Sequence, residues 1–149
     1  MDIVERFINY TKINTTTSRE NGAKGIMPSS PGQMKLAKLL VRVNLKHWVW
    51  RILFSERMLY ATATLPANTD ETIPVASFLD IWTPVPKQTA DTKAQRLPYN
   101  GGDLCLNPEL NIYLRESEFP ELKNYIGDDL IVTDGTSLLG ADDKAALAL

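Results

Sequence analysis

The amino-acid sequence predicts an α/β fold, and three local patterns support this class. Residues 3–10 and 36–43 carry apolar side chains at the spacing of helices that bury one face. Several short stretches elsewhere are rich in β-branched and apolar residues and are bounded by turn-forming residues, as strands are. The segment 130–149 reads as a strand, a polar loop and the start of a helix, an order typical of α/β proteins.

Length and composition indicate an ordinary globular protein. A chain of 149 residues is expected to form one domain, which buries about 70% of its unfolded surface. A net charge of −2 provides no basic footprint for nucleic acid. The start of the chain lacks a secretory pattern and no apolar run reaches the length of a membrane span, so we expect a cytoplasmic protein. The single cysteine, Cys105, fits a reducing compartment and is expected to fill a partly buried strand or loop.

Two helices are predicted in the first part of the chain. Asp2 is placed to cap the first helix, and residues 11–24, which are polar and rich in threonine, predict a loop. Ser30 and Gln33 have the spacing of a capping box for the second helix, with Pro31 at its first position. The apolar residues of the two stripes are Ile3, Phe7 and Tyr10, then Leu36, Leu39, Leu40 and Val43.

Strands are predicted at Met58–Leu65 and Ile73–Leu79, on either side of a turn at residues 66–68. Residues 110–114 alternate between apolar and polar side chains, as in a half-buried strand. A last strand is predicted at Leu130–Val132, directly before the polar loop.

Asp142 and Asp143 stand at the start of the last predicted helix. One interpretation is helix capping, because Asp accepts hydrogen bonds from free backbone N–H groups and suits the positive end of the helix dipole. The other is metal ligation, because a carboxylate fixed beyond the end of a strand can bind or bridge divalent cations. The local residues alone leave both interpretations open.

The stretch 133–145, TDGTSLLGADDKA, resembles the signature of the peptidase T family, zinc-dependent tripeptide aminopeptidases among the co-catalytic metallopeptidases. In that family the first Asp of GADDKAG bridges a pair of zinc ions, and the resemblance implies this role for Asp142. The family's Gly after the Lys-Ala pair is Ala146 here, a residue that suits a helix.

Four other stretches resemble the same family. They are residues 28–37, ATLPAN at 63–68, YNGGDLCLN at 99–107 and FPELKNYIGDDLIVTDG at 119–135. The two glycines of YNGGDLCLN are interpreted as a turn and are assigned no chemistry. The resemblance implies that residues 1–149 are the incomplete, truncated N-terminal part of a zinc-peptidase-like catalytic domain, a mixed sheet with flanking helices. It also implies tripeptide substrates, bound zinc and homodimers among intact relatives. The net charge and the length of the apolar runs predict no nucleic-acid or membrane partner.

Two stretches depart from the family in the same way. At residues 77–86 the family has G-F-x-x-H-x-D-T-S-P-D, whose His is a zinc ligand, and this sequence has neither that His nor the paired Asp. Regrouping the codons of residues 80–84 in a neighbouring frame permits Gly, His or Tyr, Leu or Met, and then a forced Asp. Residues 43–52 behave alike, since regrouping permits the family's E-L-K-x-L-G-L-E-D. We hypothesise two pairs of compensating insertions or deletions, which sequencing the DNA across codons 42–57 and 77–94 tests.

The resemblance therefore identifies one metal ligand, Asp142, and no catalytic base. Zinc sites need at least three protein ligands, so we expect the chain to be inactive. In the family, later strands and helices cover the sheet, so without them we expect a chain that is partly ordered or prone to aggregation. His47, beside two tryptophans, is interpreted as a packing or surface residue, and Asp80 is assigned no role. Two alternatives stay open: a non-catalytic α/β module for interaction or dimerisation, and a decayed gene product.

Overall fold

The computed structural model describes residues 2–44, 51–55, 60–64, 66–70 and 92–148. Its helices are α1 (Ile3–Thr11), α2 (Arg19–Ala23), α3 (Pro31–Leu39), which continues as a π-helical segment at Leu40–Asn44, and α4 (Ala141–Ala148), with a 3₁₀ helix at Pro120–Tyr125. Its strands are β1 (Arg51–Ser55), β2 (Tyr60–Thr64), β3 (Gln95–Pro98), β4 (Leu104–Asn107), β5 (Ile112–Leu114) and β6 (Asp129–Val132).

Helices and strands occur together, so the α/β class is confirmed in its coarse sense. The described strands pair as three separate antiparallel ribbons, β1 with β2, β3 with β6 and β4 with β5. The family resemblance implies a mixed sheet, and the described residues do not form one. The difference arises because β4 and β5 are joined by a tight turn and pair with each other, while β3 pairs with a strand more than thirty residues away.

The first helix begins as its sequence predicts. The Asp2 carboxylate accepts a hydrogen bond from the backbone N–H of Glu5 at 2.8 Å, and the Glu5 carboxylate accepts one from the N–H of Asp2 at 3.1 Å. This reciprocal capping satisfies two donors that the start of a helix would otherwise leave unpaired. Phe7 and Tyr10 of the predicted stripe are buried, whereas Ile3 is partly exposed.

The predicted loop at residues 11–24 is wrong in part, because it contains the short helix α2. Ser18 caps this helix by accepting from the N–H of Asn21 at 3.2 Å. The Asn21 amide then donates to the carbonyl of Ser29 at 2.8 Å, which ties the helix to the segment before α3. A capped five-residue helix has too few residues to show an apolar period, so the sequence pattern does not reveal it.

The second predicted helix is α3. The Gln33 side chain accepts from the N–H of Ser30 at 3.2 Å, as a capping box requires, and Pro31 is the first helical residue. Leu36 is fully buried, and Leu39 and Leu40 are partly buried.

The core joins residues from both ends of the described chain. Side chains from α1, the following turn, α3 and α4 meet in one buried cluster. Its members are Phe7, Tyr10, Ile13, Leu36 and Ala148, with Leu39, Leu40, Ile131, Leu139, Ala141 and Leu147 packed against it. Beside it lies an apolar groove of about 470 Å³, lined by Ile3, Val4, Phe7, Ile131, Ala145, Ala146 and Ala148.

The antiparallel ribbons confirm two of the predicted strands and correct a third. Leu130–Val132 lies within β6, and β2 lies within the predicted Met58–Leu65. Cys105 is half-buried on β4, as expected. The strand predicted from Leu110 begins only at Ile112, because residues 108–111 form the turn between β4 and β5, with Asn111 at a φ of 54° and Leu110 exposed.

Several predictions fall on residues outside those the structure describes. They concern the strand Ile73–Leu79, His47, Asp80 and most of the two departing stretches. Of the departing stretch at residues 43–52, residues 43–44 belong to the π-helical segment and residues 51–52 to β1, a strand that the sequence did not predict. Across the described ranges, no helix combines the length and apolar character needed to traverse a bilayer.

Gly32 allows α3 to approach the segment after α1. A Cβ atom on Gly32 would overlap the carbonyl oxygen of Asn14, so the two backbones touch where only a glycine fits. We expect Gly32→Ala to lower the free energy of unfolding by about 1–3 kcal/mol, since the backbones must separate. Chemical denaturation measures the change. Gly22→Ala is the matched control, because its Cβ would meet nothing within 4 Å and should leave stability unchanged or raise it. Equal effects of the two substitutions would contradict the close approach.

Candidate functional site

The loop between β6 and α4 has a defined shape that its own side chains hold. The Thr133 hydroxyl donates to the carbonyl of Ser137 at 2.8 Å and accepts from the N–H of Gly135 at 3.1 Å. The Thr92 hydroxyl, from the segment before β3, donates to the carbonyl of Leu138 at 3.3 Å. These bonds fix the path of the chain from the end of the strand to the start of the helix.

Asp134 is the carboxylate that stabilises this loop. One of its oxygens accepts from the hydroxyl of Thr136 at 2.6 Å and from the N–H of Thr136 at 3.0 Å. The other lies 3.2 Å from the Lys93 ammonium, and the Asp134 side chain is only 13% exposed. The Thr136 hydrogen bonds, with a further contribution from Lys93, hold the pKa of Asp134 below its ordinary value. Asp134 is therefore ionised at neutral pH, with both oxygens already engaged.

Asp142 stands at the start of α4 in a different environment. Its backbone is extended, with φ −68° and ψ 119°, so regular helical geometry begins after it. The residue is exposed, and no hydrogen bond or ion pair joins its carboxylate to any residue that the structure describes. The backbone is that of a cap residue, but the side chain makes no capping bond within the described part of the chain. Asp143 is half-buried at the following position.

Lys144 is the residue of this motif that the sequence interpretation did not single out. Its side chain is 2% exposed, and its Nζ donates to the carbonyl oxygen of Ile13 at 2.9 Å. Burial lowers the pKa of the Lys144 ammonium. The bond ties the start of α4 to the turn that follows α1.

One sequence signal could have revealed this burial. Ala141, Lys144 and Ala148 lie three and then four residues apart, so they share one face of the helix, and all three are buried or partly buried. A lysine in the middle of such a stripe must either extend to solvent or find an acceptor inside. Here it finds the carbonyl of Ile13.

Asp142 is the only candidate metal ligand that the resemblance implies, and the structure does not place other donors with it. Among residues 2–44 and 92–148 and the short described stretches between them, no three His, Cys, Asp or Glu side chains are grouped so that they could hold a metal ion. The only histidine of the sequence, His47, lies outside those ranges. The described residues alone therefore do not fit a zinc pair.

The described residues form an α/β chain whose strand-to-helix junction carries two aspartates, the exposed Asp142 and the half-buried Asp143, neither of which has a hydrogen bond or ion pair from its side chain to a described residue. No family model matches the chain. It is similar over 99% of its length to peptidase T of Geobacillus kaustophilus (strain HTA426), at 44% identity, and to peptidase T of Brevibacillus brevis (strain 47), at 46%. Peptidase T of Clostridium novyi (strain NT) is 42% identical over 98% of the chain. The resemblance to peptidase T predicted from the motifs is thus confirmed, and the chain spans about 35% of the length of these relatives.

Replacing Lys144 by Met should destabilise the chain. Methionine fills the space of the lysine stem but cannot donate to Ile13, so a buried carbonyl loses its partner, at a cost of about 1–3 kcal/mol. We expect a loss near the lower end of that range, because removing a buried amine recovers part of its desolvation cost. Thermal and chemical unfolding measure it. Lys35→Met, at an exposed position on α3, is the control and should change stability by less than about 0.5 kcal/mol. An unchanged or more stable Lys144→Met chain would refute the role of this bond.

The lowered pKa of Asp134 predicts a pH-dependent contribution to stability. A carboxyl whose folded-state pKa lies below its unfolded value stabilises the fold above the unfolded pKa, and loses that effect as pH falls through the folded-state pKa. We therefore expect Asp134→Ala to be less stable than the original chain at neutral pH, and the gap to close as the pH falls below the ordinary value of 3.8. Denaturant unfolding over a pH series tests this. A stability gap for Asp134→Ala that persists unchanged in acid would contradict the assignment.

Proposed function

We propose that the chain is the N-terminal part of the catalytic domain of a zinc-dependent aminopeptidase of the peptidase T type, which releases the first residue of tripeptides in the cytoplasm. The similarity to peptidase T over 99% of the chain supports this proposal. The sequence TDGTSLLGADDKA also supports it, because it lies on the strand–loop–helix segment that carries the exposed carboxylate of Asp142.

Within this proposal Asp142 is the carboxylate that bridges two zinc ions. The observation that supports it most directly is the contrast with Asp134. Both carboxylates belong to one loop–helix segment, but Asp134 has its oxygens engaged by Thr136 and Lys93, while Asp142 is exposed and has no partner among the described residues. A bridging ligand needs both oxygens free, and Asp142 meets that condition without loss of any described contact.

The same proposal implies that this chain alone does not turn over substrate. A zinc ion in a catalytic site takes three protein ligands and a water, and Asp142 supplies one donor. The other ligands and the general base must come from residues beyond those described here. We therefore assign no catalytic step to the residues of this chain.

A second candidate is a non-catalytic module that associates with a second copy of itself. The apolar groove between α1, β6 and α4 favours it, because its seven lining residues, Ile3, Val4, Phe7, Ile131, Ala145, Ala146 and Ala148, are all apolar. An apolar surface of this kind gains stability when another apolar surface covers it.

One set of measurements on the purified chain separates the candidates. We expect neither tripeptide hydrolysis nor tight zinc binding by calorimetry, because one carboxylate cannot hold the ion. Turnover of a tripeptide or tight zinc binding would overturn the ligand-count argument, and tight zinc binding that Asp142→Ala leaves unchanged would overturn the role of Asp142. The module would be favoured instead if sedimentation experiments without zinc show self-association that depends on the groove. In that case Ile3→Glu, in the groove, should abolish the association, and Ile126→Glu, outside it, should leave it intact.

A further inference from the structure

The chain contains two Asn-Gly pairs, and the hydrogen bonding around their reactive groups differs between the two. They are Asn21-Gly22, in α2, and Asn100-Gly101, in the turn after β3. An Asn-Gly pair is chemically labile because glycine has no side chain to hinder attack by its own backbone nitrogen on the neighbouring amide. Whether that attack occurs depends on whether hydrogen bonds hold the two reacting groups in place, so the surroundings of each pair determine its reactivity.

Asn21-Gly22 is held at both reacting groups. The attacking atom, the backbone nitrogen of Gly22, donates to the carbonyl of Ser18 at 2.9 Å. The attacked group, the Asn21 side-chain amide, donates to the carbonyl of Ser29 at 2.8 Å. Both bonds and a turn of helix must open before the two groups can meet.

Asn100-Gly101 is held at neither group. Asn100 is exposed, and its side chain makes no hydrogen bond to any residue that the structure describes. No described residue accepts a hydrogen bond from the N–H of Gly101. Gly101 has a φ of 95°, so the pair lies in an open turn rather than in a helix or a strand.

We propose that Asn100 is a site of spontaneous deamidation. The Gly101 nitrogen forms a bond to the Cγ of Asn100, the bond from Cγ to the side-chain nitrogen breaks, and that nitrogen leaves as ammonia with the proton from Gly101. Water then opens the cyclic imide at either of its carbonyls. The net reaction consumes one water and releases one ammonia, with no oxidation or reduction, and yields aspartate or isoaspartate at position 100.

The residues on either side of Asn100 explain why the isoaspartate product matters for the fold. Tyr99 is buried and is fixed through its N–H to Asp128 at 2.9 Å and through its carbonyl to Gly127 at 2.8 Å. Gly102 is fixed by its N–H to Glu116 at 2.9 Å and by its carbonyl to the Tyr99 hydroxyl at 2.9 Å. Isoaspartate lengthens the main chain between these two anchors by one methylene, so the turn cannot keep all four bonds unstrained.

Peptide mass spectrometry of the full chain, incubated at neutral pH and body temperature, tests the site. We expect conversion at Asn100 to be faster than at Asn21 by at least about tenfold, the factor that opening two hydrogen bonds imposes. Both aspartate and isoaspartate peptides should appear, and Asn100→Gln should abolish the reaction at this position. In concentrated denaturant the two pairs should react at similar rates, because the protection of Asn21 comes from the fold.

Three results would overturn the proposal: an intact Asn100 after prolonged incubation, conversion of Asn21 at an equal or higher rate in the native chain, and a rate difference that survives in denaturant. A rate difference that survives in denaturant would mean that the neighbouring residues in the sequence cause it, and not the fold. Because none of these measurements involves zinc or peptide hydrolysis, their results do not depend on whether the proposed function is correct.

Discussion

The bond from the Lys144 ammonium to the carbonyl of Ile13 is the contact on which the described fold depends. It joins residues 131 positions apart and lies inside the cluster where α1, α3 and α4 meet. A buried amine is costly unless it finds an acceptor, and a buried carbonyl is costly unless it finds a donor. Each group satisfies the other, so α4 can dock on α1 only in a position that keeps Lys144 opposite Ile13.

That docking also determines the geometry of the candidate site. Asp142 precedes Lys144 by two residues, so anchoring the lysine inside the core leaves the aspartate at the exposed start of the helix. On the other side, the bonds of Thr133 and Asp134 hold the loop where it leaves β6. The segment that presents Asp142 is therefore fixed at both ends by residues that have no need to contact a ligand.

The parts of the fold that follow from neighbouring residues could be predicted from the sequence. Asp2, Gln33 and the glycine turn at residues 101–102 act within a few positions, and each was placed correctly. The parts that depend on distant partners could not. The face shared by Ala141, Lys144 and Ala148 indicates that Lys144 is buried, but not that its acceptor is the carbonyl of Ile13. The antiparallel pairing of β3 with β6 likewise joins two strands that lie far apart in the sequence. Helix α2 was missed for another reason, since its stability comes from a cap and one contact to Ser29 rather than from an apolar stripe.

The candidate site shows the same division, and it also shows why residue type alone does not assign a role. Asp134 and Asp142 are both aspartates in the stretch that resembles peptidase T, and residue type alone does not distinguish a carboxylate that stabilises a loop from one that can take a ligand. The structure separates them by what already occupies their oxygens. A cation that bound Asp134 would have to displace Thr136 and Lys93, and would release the loop that these contacts hold. A cation that bound Asp142 would displace no described partner, so this carboxylate can take a ligand while the fold that presents it stays intact.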